Sequence, residues 1–299
     1  MQSSAIFRSL YKGIVMKTAL ITGGSAGLGK ITSEALAGLG YRVVIAARDQ
    51  VKGERVVQEI LNKHPEAEVE FVQVDMADYS SVADFAEVIA SRFERIDRLI
   101  LNAGLFTSSV RKNDAGHEYM FAATHMGHFL LTHKLMPLLK RSDDARLIVT
   151  SSVAHWVGNI LAFKKTITNP PRGDRFLFKQ FLLYGRSKLA NILFVNGLEK
   201  YLKDRNVKVF SFHPGGVKTE FYRQFPDLFV KLFFPFLISE RKGADTQIFL
   251  ATDNSDRSGG YWCRRKPGIR SRSSRSDALT DELWEFSKES FGISTFGES

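Results

Sequence analysis

The chain has 299 residues, 44% hydrophobic and 25% charged, which excludes a disordered chain and allows a full core without covalent staples. A single cysteine, Cys263, excludes an internal disulfide framework and a Cys/His zinc cage, so no metal site is expected. Net charge is +10, from 42 Lys and Arg against 32 Asp and Glu, which suits nucleic acid, an anionic membrane surface or an anionic cofactor.

That charge is uneven. No acid precedes Glu34, and Arg264, Arg265, Lys266, Arg270, Arg272 and Arg275 crowd the far end, a run that reads first as a solvated segment. It lacks the aromatic interleaving of RNA platforms, so no nucleic-acid partner is expected. No stretch reaches the ~18 uninterrupted apolar residues of a spanning helix. The best candidate, Phe225 to Ile238, is broken by Pro226, Asp227, Lys231 and Pro235. Residues 1–15 precede the first strand and read as an N-terminal extension. Their Arg8, Lys12 and serines do not make a secretory signal, but leave a mitochondrial presequence open. The expected location is intracellular, cytoplasmic or peripherally membrane-associated.

In chain order, Thr18 to Thr22 is a short buried-strand pattern, and Gly27 to Leu39 a helix closed by Gly40. Tyr41 to Ala47 is a β-branched strand, Gln50 to Lys63 a helix, Val69 to Asp75 a strand and Ser81 to Phe93 an amphipathic helix. A strand at Arg98 to Leu101 precedes a long helix, Glu118 to Lys140. Arg146 to Ser151 is a strand, Phe181 to Lys203 a helix and Val207 to Phe212 a strand. The tail from Leu279 to Phe291 reads as a helix capped by Thr280. Such alternation predicts an α/β fold, one parallel sheet with helices on both faces, with all strand carboxyl ends on one edge. No second domain is expected after residue 16. Two long segments that follow strands, Val153–Gln180 and Val217–Glu240, are expected to wall a pocket on that edge.

The polar clusters all follow strands. Thr22, Gly23, Ser25, Gly27, Leu28 and Gly29 form a glycine-rich turn that opens a helix, suited to a pyrophosphate or simply a tight turn. The second strand ends at Arg48, where an acid would bind a ribose 2′-hydroxyl. A guanidinium suits a 2′-phosphate instead, or is a surface arginine beside a helix-capping Asp49. Asp75 could accept from an adenine amino group or cap a helix. Asn102, Ala103 and Gly104 permit close backbone contact with a cofactor or form a sheet-edge turn. Tyr184 and Lys188 stand at i and i+4 on one helix face, where an ammonium favours the phenolate and fits the tyrosine for acid–base work on an alcohol–carbonyl pair. Ser151 and Ser152 end the fifth strand, where a hydroxyl could hold the reacting oxygen.

Taken in order, these motifs, closing with Pro214-Gly215, resemble the short-chain dehydrogenase/reductase family over residues 16 to 290. The stretches Gly127–Thr132, Ser151–His155 and His213–Thr219, and the 32-residue gap from Ser152 to Tyr184, resemble its retinol dehydrogenase-like group. The resemblance implies a doubly wound Rossmann-type sheet. It implies that Gly23, Gly27 and Gly29 hold the pyrophosphate, Arg48 the 2′-phosphate, Asp75 the adenine and Asn102 the adenine-ribose side. Ser152 would orient the substrate oxygen, Tyr184 transfer the proton, and Lys188 bind the nicotinamide ribose and lower the tyrosine pKa. Pro214, Gly215, Val217 and Thr219 would seat the carboxamide. One position departs: Thr124 stands where the family usually has the Asn that holds a proton-relaying water.

The expected function is NADP(H)-dependent interconversion of an alcohol and a carbonyl on a hydrophobic substrate, a retinoid, steroid or lipid aldehyde or ketone. Phe225, Phe229 and Phe233 are expected to line its pocket in a lid over about 217–240. The rival reading is a cofactor-binding regulatory protein weakened in catalysis through Thr124. Peripheral membrane contact and a homodimer are left open.

Overall fold

Alternation within the strands explains how the layers assemble. In β1 (Thr18–Thr22), β2 (Arg42–Ala47) and β4 (Arg98–Leu101), Leu20, Val44 and Leu99 face one core, while Ile21, Ile45 and Ile100 face the other. Strands buried on both faces read as continuous apolar runs, and the sheet is parallel as that pattern requires. The remaining strands are β3 (Val69–Gln73), β5 (Ala145–Thr150), β6 (Val207–His213), β7 (Tyr261–Cys263) and β8 (Lys266–Pro267). Their order is β3-β2-β1-β4-β5-β6-β7-β8, parallel throughout except for β8, which returns antiparallel to β7. The computed structural model describes residues 16–158, 167–168, 170, 177–202, 206–217 and 237–298. The expected N-terminal extension, most of the expected lid, and Thr219, Phe225, Phe229 and Phe233 lie outside them.

The helices are α1 (Gly27–Gly38), α2 (Gln50–Lys63), α3 (Tyr79–Arg92), α4 (Tyr119–Phe121), α5 (Gly127–Lys140), α6 (Leu177–Tyr201), α7 (Glu240–Thr252) and α8 (Asp277–Phe291). On one face Phe85, Phe129, Phe194 and Trp284 pack on the sheet; on the other Leu36, Val56, Ile60 and Leu250 do so. The chain winds outward from β1 to β3, then returns and winds outward from β4. Sheets of this kind bind ligands where the winding reverses, here in the crevice beyond the carboxyl ends of β1 and β4.

At the opposite edge, two strands carry buried arginines at their start, Arg98 as the first residue of β4 and Arg146 as the second of β5. Arg98 and Arg146, both about fully buried, donate to the last carbonyls of α7 at Ala251 and Leu250 and flank Asp144. Burial alone would raise the Asp144 carboxyl. The hydrogen bond and charge of Arg98, with help from Lys17 and Arg146, hold it well below the usual carboxylate range.

Several expectations need correction. The long helix at 118–140 is continuous but irregular: α4 passes through a π turn, Ala122–Met126, before α5. The last helix is capped by Ser276, which accepts from Leu279 N at 3.3 Å, while Thr280 lies inside it and donates to Ser276 O. Helix α7 and the β7–β8 hairpin were not anticipated. The basic run is partly structural: Arg264 and Arg265 form the hairpin turn, with φ of 51° and 59°, and Arg265 pairs with Asp245.

Candidate active site

The glycine-rich turn is built around Thr22. Its buried Oγ1 accepts from Asn102 N at 2.9 Å and Ala103 N at 3.0 Å, tying the end of β1 to the end of β4. The Asn102 amide turns back and donates to Thr22 O at 3.0 Å and Gly23 O at 3.4 Å, so it holds the turn itself. Gly29 is required by close approach, since a Cβ there would lie 2.3 Å from Gly23 O. Helix α1 then starts with Ala26 at its N-cap, no side-chain cap and no acid in its first turn. By contrast α2, α3, α7 and α8 are capped by Asp49, Asp78, Ser239 and Ser276. The first N–H groups of α1 and its positive dipole end are thus left for an external anion. Leu28 and Val217 close this end from above: a Cβ on Gly243 of α7 would lie 2.7 Å from Leu28 and 2.5 Å from Val217. Ser25 is half-buried in the same turn.

Arg48 follows β2 and is largely exposed, its carbonyl held by the Gln73 amide. Its Nη1 donates to the Tyr119 hydroxyl at 3.2 Å and lies 3.9 Å from Asp75 Oδ2. Asp75 follows β3 and spends Oδ1 on Ala77 N, in a tight turn; Asp78, three residues on, is the residue that caps α3.

The other residues meet beyond β4 to β6. Ser151 is buried and donates to Lys188 O at 2.7 Å, tying β5 to α6. Ser152 is half-buried and opens a 3-10 turn, Val153–Trp156. Two histidines grip this turn. His155 Nε2 accepts from Ser271 N, so its Nδ1 carries the proton and donates to Ser152 O at 2.7 Å. His213, at the end of β6, accepts from Val153 N at 3.3 Å. Pro214 and Gly215 follow directly; Gly215 has φ of 96°, and Ile238 lies where its Cβ would point.

Tyr184 and Lys188 share one face of α6, with Lys188 Nζ 5.6 Å from the Tyr184 ring centre. The ammonium is buried, donates to Thr150 O at 3.1 Å, and faces Gly104, where a Cβ would stand 3.1 Å from it. Burial pulls its pKa from 10.5 down to about 7. Thr124 sits in the π turn, fully buried, with Oγ1 close to Gly104 and without a hydrogen-bond partner among the described residues. Its carbonyl accepts from His128 Nδ1 at 3.0 Å, so Nε2 of that ring accepts from Thr22 Oγ1 at 2.8 Å. Burial, opposed by the Thr124 bond and reinforced by the charge of Lys188, brings His128 down to about 3 and keeps it neutral.

The fold therefore brings Ser152, Tyr184, Lys188, Thr124 and Gly104 to one place, and the glycine turn, Arg48 and Asp75 along the same edge. Sequence reasoning assigned no role to His128, His155, His213 or Asn191, whose amide donates to Thr150 O at 3.0 Å. The histidines were visible, standing inside the stretches that carried the resemblance. What they bond to depends on long-range packing.

A wound parallel sheet with an open helix N-terminus beside its switch point, and a tyrosine–lysine pair beside a strand-end serine, defines a dinucleotide-dependent oxidoreductase fold. Residues 17–163 match the profile of the family described as short chain dehydrogenase. Retinol dehydrogenase 12 of Mus musculus is 36% identical over 281 residues, covering 93% of this chain and 87% of that protein. Dehydrogenase/reductase SDR family member 13 of Homo sapiens is 34% identical, covering 93% and 74%. A crystal structure of an uncharacterized protein from Mycobacterium paratuberculosis superposes with a TM-score of 0.74 at 28% identity, covering 92% and 93%. The chain belongs to the short-chain dehydrogenase/reductase family of oxidoreductases and is similar to its retinol dehydrogenases.

Proposed function

We propose that this chain interconverts an alcohol and a carbonyl on a hydrophobic substrate, a retinoid, steroid or lipid aldehyde or ketone, using NADP(H). The observation that carries the reading is the buried Lys188 amine, facing Gly104 and the Tyr184 ring beside the half-exposed Ser152. The residues fit the cofactor. Helix α1 lacks a side-chain cap, Gly29 lets Gly23 and the Asn102 amide close on the turn, and Arg48 stands where a 2′-phosphate calls for a cation. When bound, the nicotinamide ring supplies or accepts the hydride. Gly23, Gly27 and Gly29 would hold the pyrophosphate, Lys188 the nicotinamide ribose, and Asp75 the adenine. Pro214, Gly215 and Val217 would seat the carboxamide.

Tyr184 gives its phenolic proton to the carbonyl oxygen in reduction and takes it back in oxidation. The charge of Lys188 favours the phenolate, so the proton moves near neutral pH. Ser152 donates to the same oxygen, with its turn held rigid by His155 and His213. A hydrophobic substrate is supported by the retinol dehydrogenase relatives and by the apolar Val153, Trp156 and Val157, which stay exposed just past Ser152.

The test is NADPH and NADH consumption with retinal, steroid ketones and long-chain aldehydes. We expect turnover with NADPH preferred, and a loss of ~10²-fold or more in Tyr184→Phe with cofactor affinity retained. Turnover in Tyr184→Phe close to native overturns the role of the phenol. The second reading, a cofactor-binding protein without turnover, is favoured only by Thr124. Binding of NADPH with no consumption across the panel would establish it.

A further inference from the structure

The sequence offers one cation for a 2′-phosphate, Arg48. The fold builds more around it. Residues 111–119 form a small hairpin in which Tyr119 N donates to Arg111 O at 2.9 Å and Asn113 N to His117 O at 2.8 Å, with Lys112 and Glu118 bridged between them. The hairpin is fastened to the loop after β3, next to Asp75. The Asn113 amide donates to Ala77 O at 2.9 Å, and the Tyr79 hydroxyl meets His117 Nδ1 at 2.8 Å. This fixes Tyr119 across from Arg48, and its hydroxyl accepts from Arg48 Nη1. On the other side, the Arg111 guanidinium lies 3.6 Å from the centre of the Tyr119 ring. Arg111 is exposed and has no carboxylate partner among the described residues. A guanidinium laid flat on an aromatic face keeps its edge N–H groups available for an anion.

We propose that Arg111, carried on Tyr119, is the second arm of a two-arginine clamp for the 2′-phosphate of an adenine dinucleotide. This inference rests on the NADP(H) reading and deepens it. Arg48 alone is a weak phosphate site here, because Asp75 lies 3.9 Å away and opposes a dianion. Arg111 restores the excess of positive charge at that corner. Tyr119 keeps the two cations one side chain apart. Because its oxygen accepts from Arg48, its own proton is available to a phosphate oxygen.

The experiment measures binding rather than turnover. Adenosine 2′,5′-bisphosphate and adenosine 5′-monophosphate, which differ only in the 2′-phosphate, are titrated calorimetrically into the full chain at low and high salt. We expect the native protein to prefer the bisphosphate. Arg111→Ala should weaken the bisphosphate about five- to twentyfold while leaving the monophosphate within about twofold, as for loss of a charge-assisted phosphate contact. Arg111→Lys should fall between, because it keeps the charge and loses the planar fork. Arg48→Ala should erase most of the remaining preference. If Arg111→Ala and Arg111→Lys bind the bisphosphate as the native chain does, while Arg48→Ala does not, the clamp is refuted and the NADP(H) reading stands. If the native chain shows no preference for the bisphosphate, both fall.

Discussion

Replacing Lys188 by Met should make the protein more stable and inactive. The amine is buried with a backbone carbonyl as its partner, and burial draws its pKa from 10.5 down to about 7. At pH 7 the unfolded chain holds this proton almost fully and the folded chain about half the time. With ~1.36 kcal/mol for each tenfold difference in proton affinity, the folded state gives up about 4 kcal/mol. The variant also loses the bond to Thr150 O, worth about 1 kcal/mol, but that oxygen keeps its bond from Asn191. A net gain of about 3 kcal/mol at pH 7 is expected. The sign with pH follows from a lowered lysine pKa. The penalty is fully present below pH 7, fades as pH rises from 7 towards 10.5, and is gone above the unfolded value. Urea unfolding of both proteins at pH 7 and pH 10 measures this. A variant no more stable than native at pH 7, or a gap of equal size at both pH values, would refute the reasoning.

Thr124→Asn should raise kcat with little change in the cofactor KM, because Thr124 Oγ1 is buried beside Gly104 without a partner among the described residues, and a carboxamide sets two donors and a separate acceptor oxygen where the hydroxyl sets one atom. Steady-state kinetics with a solvent-isotope comparison tests it, and a folded, cofactor-binding variant that is no faster would show that the relay does not pass through this side chain. Asp144→Asn should destabilise by about 3 kcal/mol at pH 7, since it takes the paired carboxylate away from two buried guanidinium groups, Arg98 and Arg146. Because the carboxyl is held below its ordinary 3.8, that stability is present above 3.8 and lost on further acidification. The difference between the two proteins in urea should therefore shrink in strong acid, and an equal difference at pH 7 and pH 2 would count against it.

The apolar strands were legible because a run buried on both faces has one reading. Thr18–Thr22 and Arg98–Leu101 form as their patterns require. Helix α7 was not, and its inward face explains why. Gly243, Ala244, Thr246, Gln247 and Ala251 are buried there, small or polar residues with Leu250 as the one large apolar side chain among them, too little for a legible apolar stripe. The π turn at Ala122–Met126 adds one residue to a helical repeat, which a period near four does not register. Ser276 and Thr280 are both capping residue types four apart, and local chemistry alone does not choose between them. The site residues were legible as a list, because most follow a strand, the topology gathers strand ends, and Tyr184 and Lys188 stand at helical spacing on one face of α6. What the list lacked was the set of groups that hold them, His155 on Ser152 and Tyr119 on Arg48. Each is set by contacts between residues distant in the chain or across a turn.

The β7–β8 hairpin bears on how copies of the chain could associate. A bare outer strand invites another sheet to zip onto it, and here that margin ends in two residues, one of them Pro267, which has no N–H, and the other the exposed Lys266. Its turn spends two arginines in left-handed backbone, a conformation costing roughly 1–2 kcal/mol each, to fold this stub back. A neighbouring molecule therefore finds no ladder to extend on the β8 side. Among the described residues, a partner that added strand to strand would have to come to β3, at the far margin, where Glu70 is already paired with Arg92.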